Sequence, residues 1–393
     1  MKTLLMSCDD YIYHCDGVYY ASSQEKYDFY LRYLRVFDKL RLVTRCIEKD
    51  EKKSMWVKLD SKIEYIPIPI FQGPKEYAKH YFEVGRLIHG VAEGCDAAVL
   101  RLPSTIAMRV YGDVKHRKIP YATEIVYDAY DGFASSKSLM HKILWKLIDK
   151  RMRNICYKAD GVSCVTEHYL QQRYFTKKHG GFYSHYSSLA LPKSFYGSAR
   201  SFPHGKTLTI AHVANQVEYK GRKGHIELIE AIAKLKSEGL IVNVSFVGKD
   251  YFGGQYRLEE LARTKGVEEQ VTFLGYLDRT LLDNFLNNAD LYVMPTRAEG
   301  LPRVIIEAIA KGLPCVSTRV SGNPELLGDH WLVDYDDVDT LAERIKELCT
   351  TPDLYETASL ENINNSYKYE ASILEKRRDA FYEKLKSTIK INN

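Results

Sequence analysis

What most constrains the fold of this 393-residue chain is an alternation of short β-rich runs with longer helical stretches, in two successive series. Parallel strands need long crossover connections, so this pattern predicts parallel sheets covered by helices rather than a sandwich or a helical bundle. In the second half the alternation is clean: strands are expected at 207–214, 241–247, 270–274, 290–295 and 314–318, and helices at 224–238, 255–265, 279–288, 302–312 and 338–349. In the first half the candidate strands are 2–7, 40–45, 97–102, 123–128 and 160–165, with helical candidates including 75–93 and 137–158. Between the series, LPKSFYGSARSFPHGK (191–206) is rich in Pro, Gly and Ser without periodicity, the composition of a linker. The expected class is therefore α/β, in two domains spanning 1–200 and 201–370, the second of which reads as doubly wound. A charged helical tail from residue 352 onward packs outside the sheets, and its last helix, about 370–393, is placed to pack back on the first domain.

The balance of 56 Lys plus Arg against 51 Asp plus Glu, a formal +5, is too small for a global nucleic-acid signature, so nucleic acid is not an expected partner. The opening MKTLLMSCDD lacks the apolar core of a secretory signal, and no run of about 18 apolar residues occurs, so the expected location is cytoplasmic. The eight cysteines form no C-x-x-C pair and read as buried free thiols. Nor do the histidines show a ligand spacing such as H-E-x-x-H; His212 and His225 read as packing or capping residues, and neither metal nor cofactor is expected. The stretch SKSLMHKILWKLIDKRMRNICYK (136–158) carries seven Lys or Arg against one Asp. It has two readings: a crossover helix packed on the sheet, or a basic helix approaching an anionic membrane face, which suits a lipid-linked acceptor.

Chemistry concentrates in ADLYVMPTRAEGLPRVIIEAIAKGLPCVST, 289–318. A strand ends at Met294, a loop holds Thr296 to Gly300, and Pro302 stands where the first helical residue needs no N–H, giving a strand-loop-helix unit. Its free N–H groups and Gly300 make a place for phosphate or sugar hydroxyls at the carboxyl edge of the sheet. Glu307 falls five residues into the helix, about 7 Å along it, so Glu299 and Glu307 suit different parts of one extended ligand.

The spacing of these glutamates in EGLPRVIIEAIAKGLPCV resembles the E-x7-E motif of the retaining glycosyltransferases of family 4, whose fold is GT-B: two Rossmann-like domains facing a central cleft. VTFLGYL (271–277), LNNADLYVMPT (286–296), STRVSGNPELL (317–327) and YKGRKGHIELIEAIAKL (219–235) extend the likeness over about 207–345. The resemblance implies transfer of a sugar from a nucleotide diphosphate sugar to an acceptor hydroxyl, with retention, commonly in surface polysaccharide or glycolipid synthesis. It implies ribose binding by Glu307, whose carboxylate suits two vicinal O–H donors. Glu299 would lie beside the transferred sugar, with the Gly300, Leu301 and Pro302 loop facing sugar and phosphate. Lys223 would neutralise the leaving diphosphate. Gly248 would allow close approach of the nucleotide, and the segment holding Leu274, Tyr276 and Leu277 would dock the base.

Two departures stand out. Where the family often has a diphosphate-binding arginine after the first strand of this domain, the chain reads AHVANQVEYKGRKG, with Asn215 at that place and Lys220 or Arg222 as substitutes. The glycine-rich acceptor loop is replaced by SCDDYIYHCDGVYY. On the acceptor side, Asp128 and Asp131 either line the ligand site or cap the following helix. Expected partners are the donor and a saccharide or lipid-linked saccharide acceptor, with peripheral contact at the inner membrane face through 136–158 where the basic helix takes its second reading. A nucleotide-sugar epimerase and a non-catalytic nucleotide-sugar binding protein are the alternatives.

Overall fold

The computed structural model describes residues 1–71, 73–134 and 139–390. They form two compact units, one of 1–133, 139–186 and 375–390, the other of 134 and 187–374.

In the first unit the elements run β1 (Thr3–Cys15), β2 (Val18–Ala21), α1 (Gln24–Leu34), β3 (Lys39–Glu48), β4 (Val57–Lys58), β5 (Ile63–Ile68), α2 (Gly73–Lys79), α3 (Tyr81–Ile88), β6 (Ala97–Leu102), α4 (Thr105–Arg117), β7 (Tyr121–Ile125), α5 (Ala129–Ala134), α6 (Leu139–Lys158), β8 (Gly161–Cys164) and β9 (Phe182–His185). The parallel sheet has the order β5-β3-β1-β6-β7-β8-β9, and β2 and β4 extend the far end of β1 antiparallel. The chain winds outward from β1 in one direction and from β6 in the other, so the topological switch lies between β1 and β6. β1 is longer than expected because it continues through a register shift between Ser7 and Tyr11. The helix expected over 75–93 is broken at His80 into α2 and α3.

Helix α6 divides along its length. Met152, Ile155 and Cys156 are buried as a crossover helix requires, but Leu139, Met140, Ile143 and Leu147 are exposed. Residues 136–138 of the basic stretch lie outside the described residues. Among the described residues no helix is long and apolar enough to cross a membrane.

The second unit runs β10 (Thr209–Gln216), α7 (His225–Ser237), β11 (Asn243–Lys249), α8 (Gly254–Thr264), β12 (Val271–Gly275), α9 (Arg279–Asn288), β13 (Leu291–Met294), α10 (Arg303–Ala310), β14 (Cys315–Thr318), β15 (Leu332–Val333), α11 (Val338–Thr350) and α12 (Pro352–Ser366). Its sheet is wholly parallel, order β12-β11-β10-β13-β14-β15, with the switch between β10 and β13. Ile210, Val244, Phe246, Leu291, Val293 and Val316 of the strands pack with Leu228, Ile232 and Leu235 of α7 to form the core.

The stretch 191–206 is not the free linker its composition suggests. Leu191 and Phe195 are buried, and the Arg200 guanidinium donates to the carbonyls of Leu286, Ala289 and Lys311, at the C-terminal ends of α9 and α10. Those helix ends leave carbonyls without intrahelical partners and carry partial negative charge, so a single arginine satisfies both. The division between the units falls at Tyr186, earlier than residue 200.

The last helix, α13 (Ala371–Ser387), belongs to the first unit from Glu375 onward. It is anchored there by Glu124, which is 2% exposed. Its carboxylate accepts hydrogen bonds from the hydroxyls of Tyr33, Tyr186 and Tyr382 and pairs with Arg101 at 3.0 Å. Burial alone would push this carboxyl up, but Arg32, Arg101 and the tyrosine hydroxyls outweigh it and hold the pKa at about 2.

Candidate functional site

The carboxyl edge of the second unit's sheet is where β10 and β13 diverge, and the loops following them meet there. Gly224, which precedes α7, makes the meeting possible: its φ is +77°, and a Cβ would stand 2.0 Å from the Pro295 carbonyl oxygen. The loop after β10 is thereby pressed against the loop after β13. The Arg222 carbonyl accepts from the Arg297 N–H at 2.8 Å and the Thr296 hydroxyl at 3.0 Å. Lys223 ion-pairs with Glu299, whose carboxylate also accepts from Thr296 at 3.1 Å.

A lysine at a helix start is electrostatically unfavourable unless an anion is near. In this structure the anion beside Lys223 is Glu299. The pair is not sealed: Lys223 is about a quarter exposed.

A third loop, 319–322, braces the second. The Glu299 N–H donates to Ser321 Oγ at 3.2 Å, the Gly322 N–H donates to the Gly300 carbonyl at 3.0 Å, and Thr318 bonds the Thr296 carbonyl. Buried Asn323 donates to Ser317 and to the Thr318 carbonyl. The STRVSGNPELL block thus holds the glutamate loop in place. Gly300, Leu301 and Pro302 are buried, and Pro302 is the N-cap of α10 rather than its first helical residue.

Six of the eight residues of α10 are buried, Glu307 among them. Among the described residues its carboxylate has one side-chain hydrogen-bond partner, Arg279, the first residue of α9, and that arginine is half exposed. Arg279 also lies over the Phe195 ring, 4.9 Å from its centroid. Sequence reasoning missed Arg279, although a signal was present. It follows the N-cap Asp278, and a cation on the first turn of a helix is out of place unless a carboxylate or ligand faces it.

Asn215 is exposed at the end of β10. Leu274, within β12, and Tyr276, just beyond it, are exposed; the Tyr276 ring lies under Lys249 at 4.4 Å, and Leu277 is half-buried. At Gly248 the close approach belongs to the chain itself, since a Cβ would meet the Ala214 carbonyl oxygen at 2.7 Å. The buried histidines are packing residues: their rings are 4.7 Å apart against Phe246. Burial pushes His212 down to about 4 and, with nearby His212 and Lys223, pushes His225 down to about 2, so both are neutral at pH 7.

In the first unit Asp128 is fully buried. It accepts from the Tyr174 hydroxyl at 2.7 Å and the Tyr130 N–H at 2.9 Å, which is the geometry of a residue capping α5. Asp131 accepts a long bond from Tyr169 at 3.5 Å.

Residues 201–364 match the family model of the glycosyl transferases group 1. Protein CapJ of Staphylococcus aureus is 26% identical over 350 residues, 88% of this chain and 87% of that protein. The putative colanic acid biosynthesis glycosyltransferase WcaL of Salmonella typhimurium is 32% identical over 152 residues, 36% of each chain. Among solved structures, sucrose-phosphate synthase from Thermosynechococcus elongatus aligns with a TM-score of 0.73 at 15% identity, covering 99% of this chain and 100% of that one. Anabaena HepE in complex with UDP and glucose aligns at 0.67 and 15% identity, covering 98% and 100%. The structural likenesses show the GT-B fold; the family match and the relatives support a glycosyltransferase.

Proposed function

We propose that this protein transfers a sugar from a nucleotide diphosphate sugar to an acceptor hydroxyl in surface polysaccharide synthesis, with retention at the anomeric carbon. The observation that carries the reading is the Lys223–Glu299 pair closing the β10–β13 switch, with the buried carboxylate of Glu307 on the helix that follows. CapJ, WcaL and the amylovoran biosynthesis glycosyltransferase AmsK of Erwinia amylovora support the setting, and HepE bound to UDP supports the donor class.

In this mechanism the donor's ribose hydroxyls displace Arg279 and donate to Glu307, while Leu274, Tyr276 and Leu277 border the base. Lys223 turns from Glu299 toward the diphosphate and stabilises the charge that grows as the bond from the anomeric carbon to the diphosphate oxygen breaks. The acceptor oxygen bonds to that carbon on the face the diphosphate leaves, and its proton passes to the departing diphosphate. Glu299, released from Lys223, accepts hydrogen bonds from the sugar.

The test is release of nucleoside diphosphate from UDP-, GDP- and ADP-sugars, with NMR of the product's anomeric configuration. Retained product with one donor class is the expected result. An inverted product removes the retention claim, and a trapped glycosyl-enzyme adduct removes same-face attack. Donor binding without turnover across a broad acceptor panel leaves only a nucleotide-sugar binding protein.

A further inference from the structure

A cavity of about 640 Å3 opens in the first unit at the carboxyl edge of its sheet, beside the β1–β6 switch. Asp9 of β1, Arg45 of β3 and Thr105 at the start of α4 line its floor; Tyr77 and Tyr81 of the α2–α3 pair, Arg109 of α4, and Trp145 and Arg151 of α6 line its walls. Switch points of this kind are where doubly wound sheets hold ligands.

The charge is unbalanced. Asp9 is engaged by Arg45 at 3.1 Å and by the Ser104 hydroxyl at 3.0 Å. Arg109 and Arg151 have no carboxylate partner among the described residues: Arg109 donates to the Tyr77 hydroxyl at 3.1 Å and lies 3.9 Å from the Tyr81 ring centroid, and Arg151 donates to the Met108 carbonyl at 2.8 Å. Arg109 is held in place by a missing side chain. Gly85, inside α3, would carry a Cβ 2.4 Å from the Arg109 Nη2. A helical glycine costs about 1 kcal/mol relative to alanine, and here it clears the path of that guanidinium.

The rim is of opposite character. Leu139, Met140, Ile143 and Leu147 lie within one 100° face of α6 and are 73%, 68%, 55% and 59% exposed. Leu144 and Leu147 line both the arginine cavity and the apolar hollow formed by this strip, so the two surfaces are continuous. Lys146 and Lys150 flank the strip and are exposed. Two guanidiniums without counter-ions suit a phosphate or diphosphate, and a contiguous apolar strip suits a hydrocarbon chain leading away from it.

We propose that this cavity binds the phosphate end of a lipid-linked acceptor, with Arg109 and Arg151 on the phosphate oxygens and the α6 strip along the first part of the hydrocarbon chain. The assignment rests on the transfer reading above for its role as acceptor site, and on the cavity alone for the ligand's chemistry.

The test is calorimetric titration of the full-length protein with farnesyl diphosphate, farnesol and inorganic pyrophosphate, and of the Arg109→Gln, Arg151→Gln, Ile143→Ser and Lys223→Ala variants. Farnesyl diphosphate is expected to bind more tightly than either fragment, and each arginine substitution is expected to weaken it about tenfold. Ile143→Ser should weaken farnesyl diphosphate and leave pyrophosphate unchanged, while Lys223→Ala should leave farnesyl diphosphate unchanged. Arg151 is exposed, so its variant reports on binding even where Arg109→Gln unfolds. Equal affinity for farnesol and farnesyl diphosphate, or binding insensitive to both arginines, overturns the proposal. Binding to phosphatidylglycerol vesicles that farnesyl diphosphate does not compete also overturns it, since the surface then serves bulk membrane. Thermal shift with nucleotide sugars on the same samples separates the claims: donor binding without farnesyl diphosphate binding removes this site alone, and the converse keeps the site and removes the transfer reading.

Discussion

Two glutamates, one in each unit, are almost equally buried and differently employed. Glu124, 2% exposed, is surrounded by Tyr33, Tyr186, Tyr382 and Arg101. Glu307, 3% exposed, has Arg279, a residue half open to solvent. A carboxylate with its acceptor sites filled from four segments of the chain ties a fold together and leaves nothing for a ligand. One whose single side-chain partner among the described residues is half open to water keeps acceptor capacity for a hydroxyl-bearing ligand. Burial does not tell them apart; the mobility and number of their partners do.

The sharpest way to break this contrast is to remove each carboxylate. Glu124→Ala leaves Arg101 and three phenols without their acceptor and should cost roughly 3–5 kcal/mol in denaturant unfolding. Glu307→Ala should cost under about 1 kcal/mol, because Arg279 turns to solvent. A large loss in both would make Glu307 a second structural anchor.

Next in size is Lys223→Ala, expected to slow transfer about 10²- to 10³-fold with little change in melting temperature. Near-normal turnover in a folded variant would remove Lys223 from the chemistry.

The pH dependence of unfolding sharpens the same contrast. Glu124 has a folded pKa of about 2 against an ordinary 4.5. A depressed carboxyl pKa gives stability that is complete above the unfolded value and lost as pH falls through the folded one. Glu124 should therefore contribute on the order of 3 kcal/mol above pH 5 that vanishes between about pH 4.5 and 2. In Glu124→Gln that portion of the acid slope should be missing; an unchanged slope would place the acid sensitivity elsewhere.

The smallest effect is at Arg279. Because its ion pair is half exposed, Arg279→Ala should free Glu307 and lower the donor KM by no more than about fivefold, leaving kcat unchanged. A fall in kcat would instead make Arg279 part of the transfer step.

The second unit was legible in sequence for β10 to β14, each a β-rich run bounded by turn residues, and for the crossover helices with one apolar face; the two-residue β15, Leu332–Val333, is too short to show a pattern. The first unit was less so. β1 runs through Asp9 and Asp10, which read as a strand end, and β5 contains Pro67, which counts against a strand; it is accommodated because β5, paired among the described residues with β3 alone, is an edge. The linker reading of 191–206 failed on Arg200, whose carbonyl partners lie 86 to 111 residues away. At the site, Lys223, Glu299 and Glu307 could be singled out from sequence because their spacing belongs to local strand-loop-helix units; in the structure Lys223 meets Glu299, and Glu307 is buried in α10. Arg279 carried one local signal, a cation in the first turn of a helix, and Ser321 none, because their partners Glu307 and Glu299 are brought to them only by the folded sheet.

The most direct measurement is thermal stabilisation of the wild-type protein and of Glu307→Ala by UDP-, GDP- and ADP-sugars. The expected result is a melting-temperature rise with one donor class that Glu307→Ala loses while keeping its own unliganded melting temperature. Equal stabilisation of both proteins by the same donor would contradict the account, because the nucleotide would then be bound without the carboxylate held ready for it.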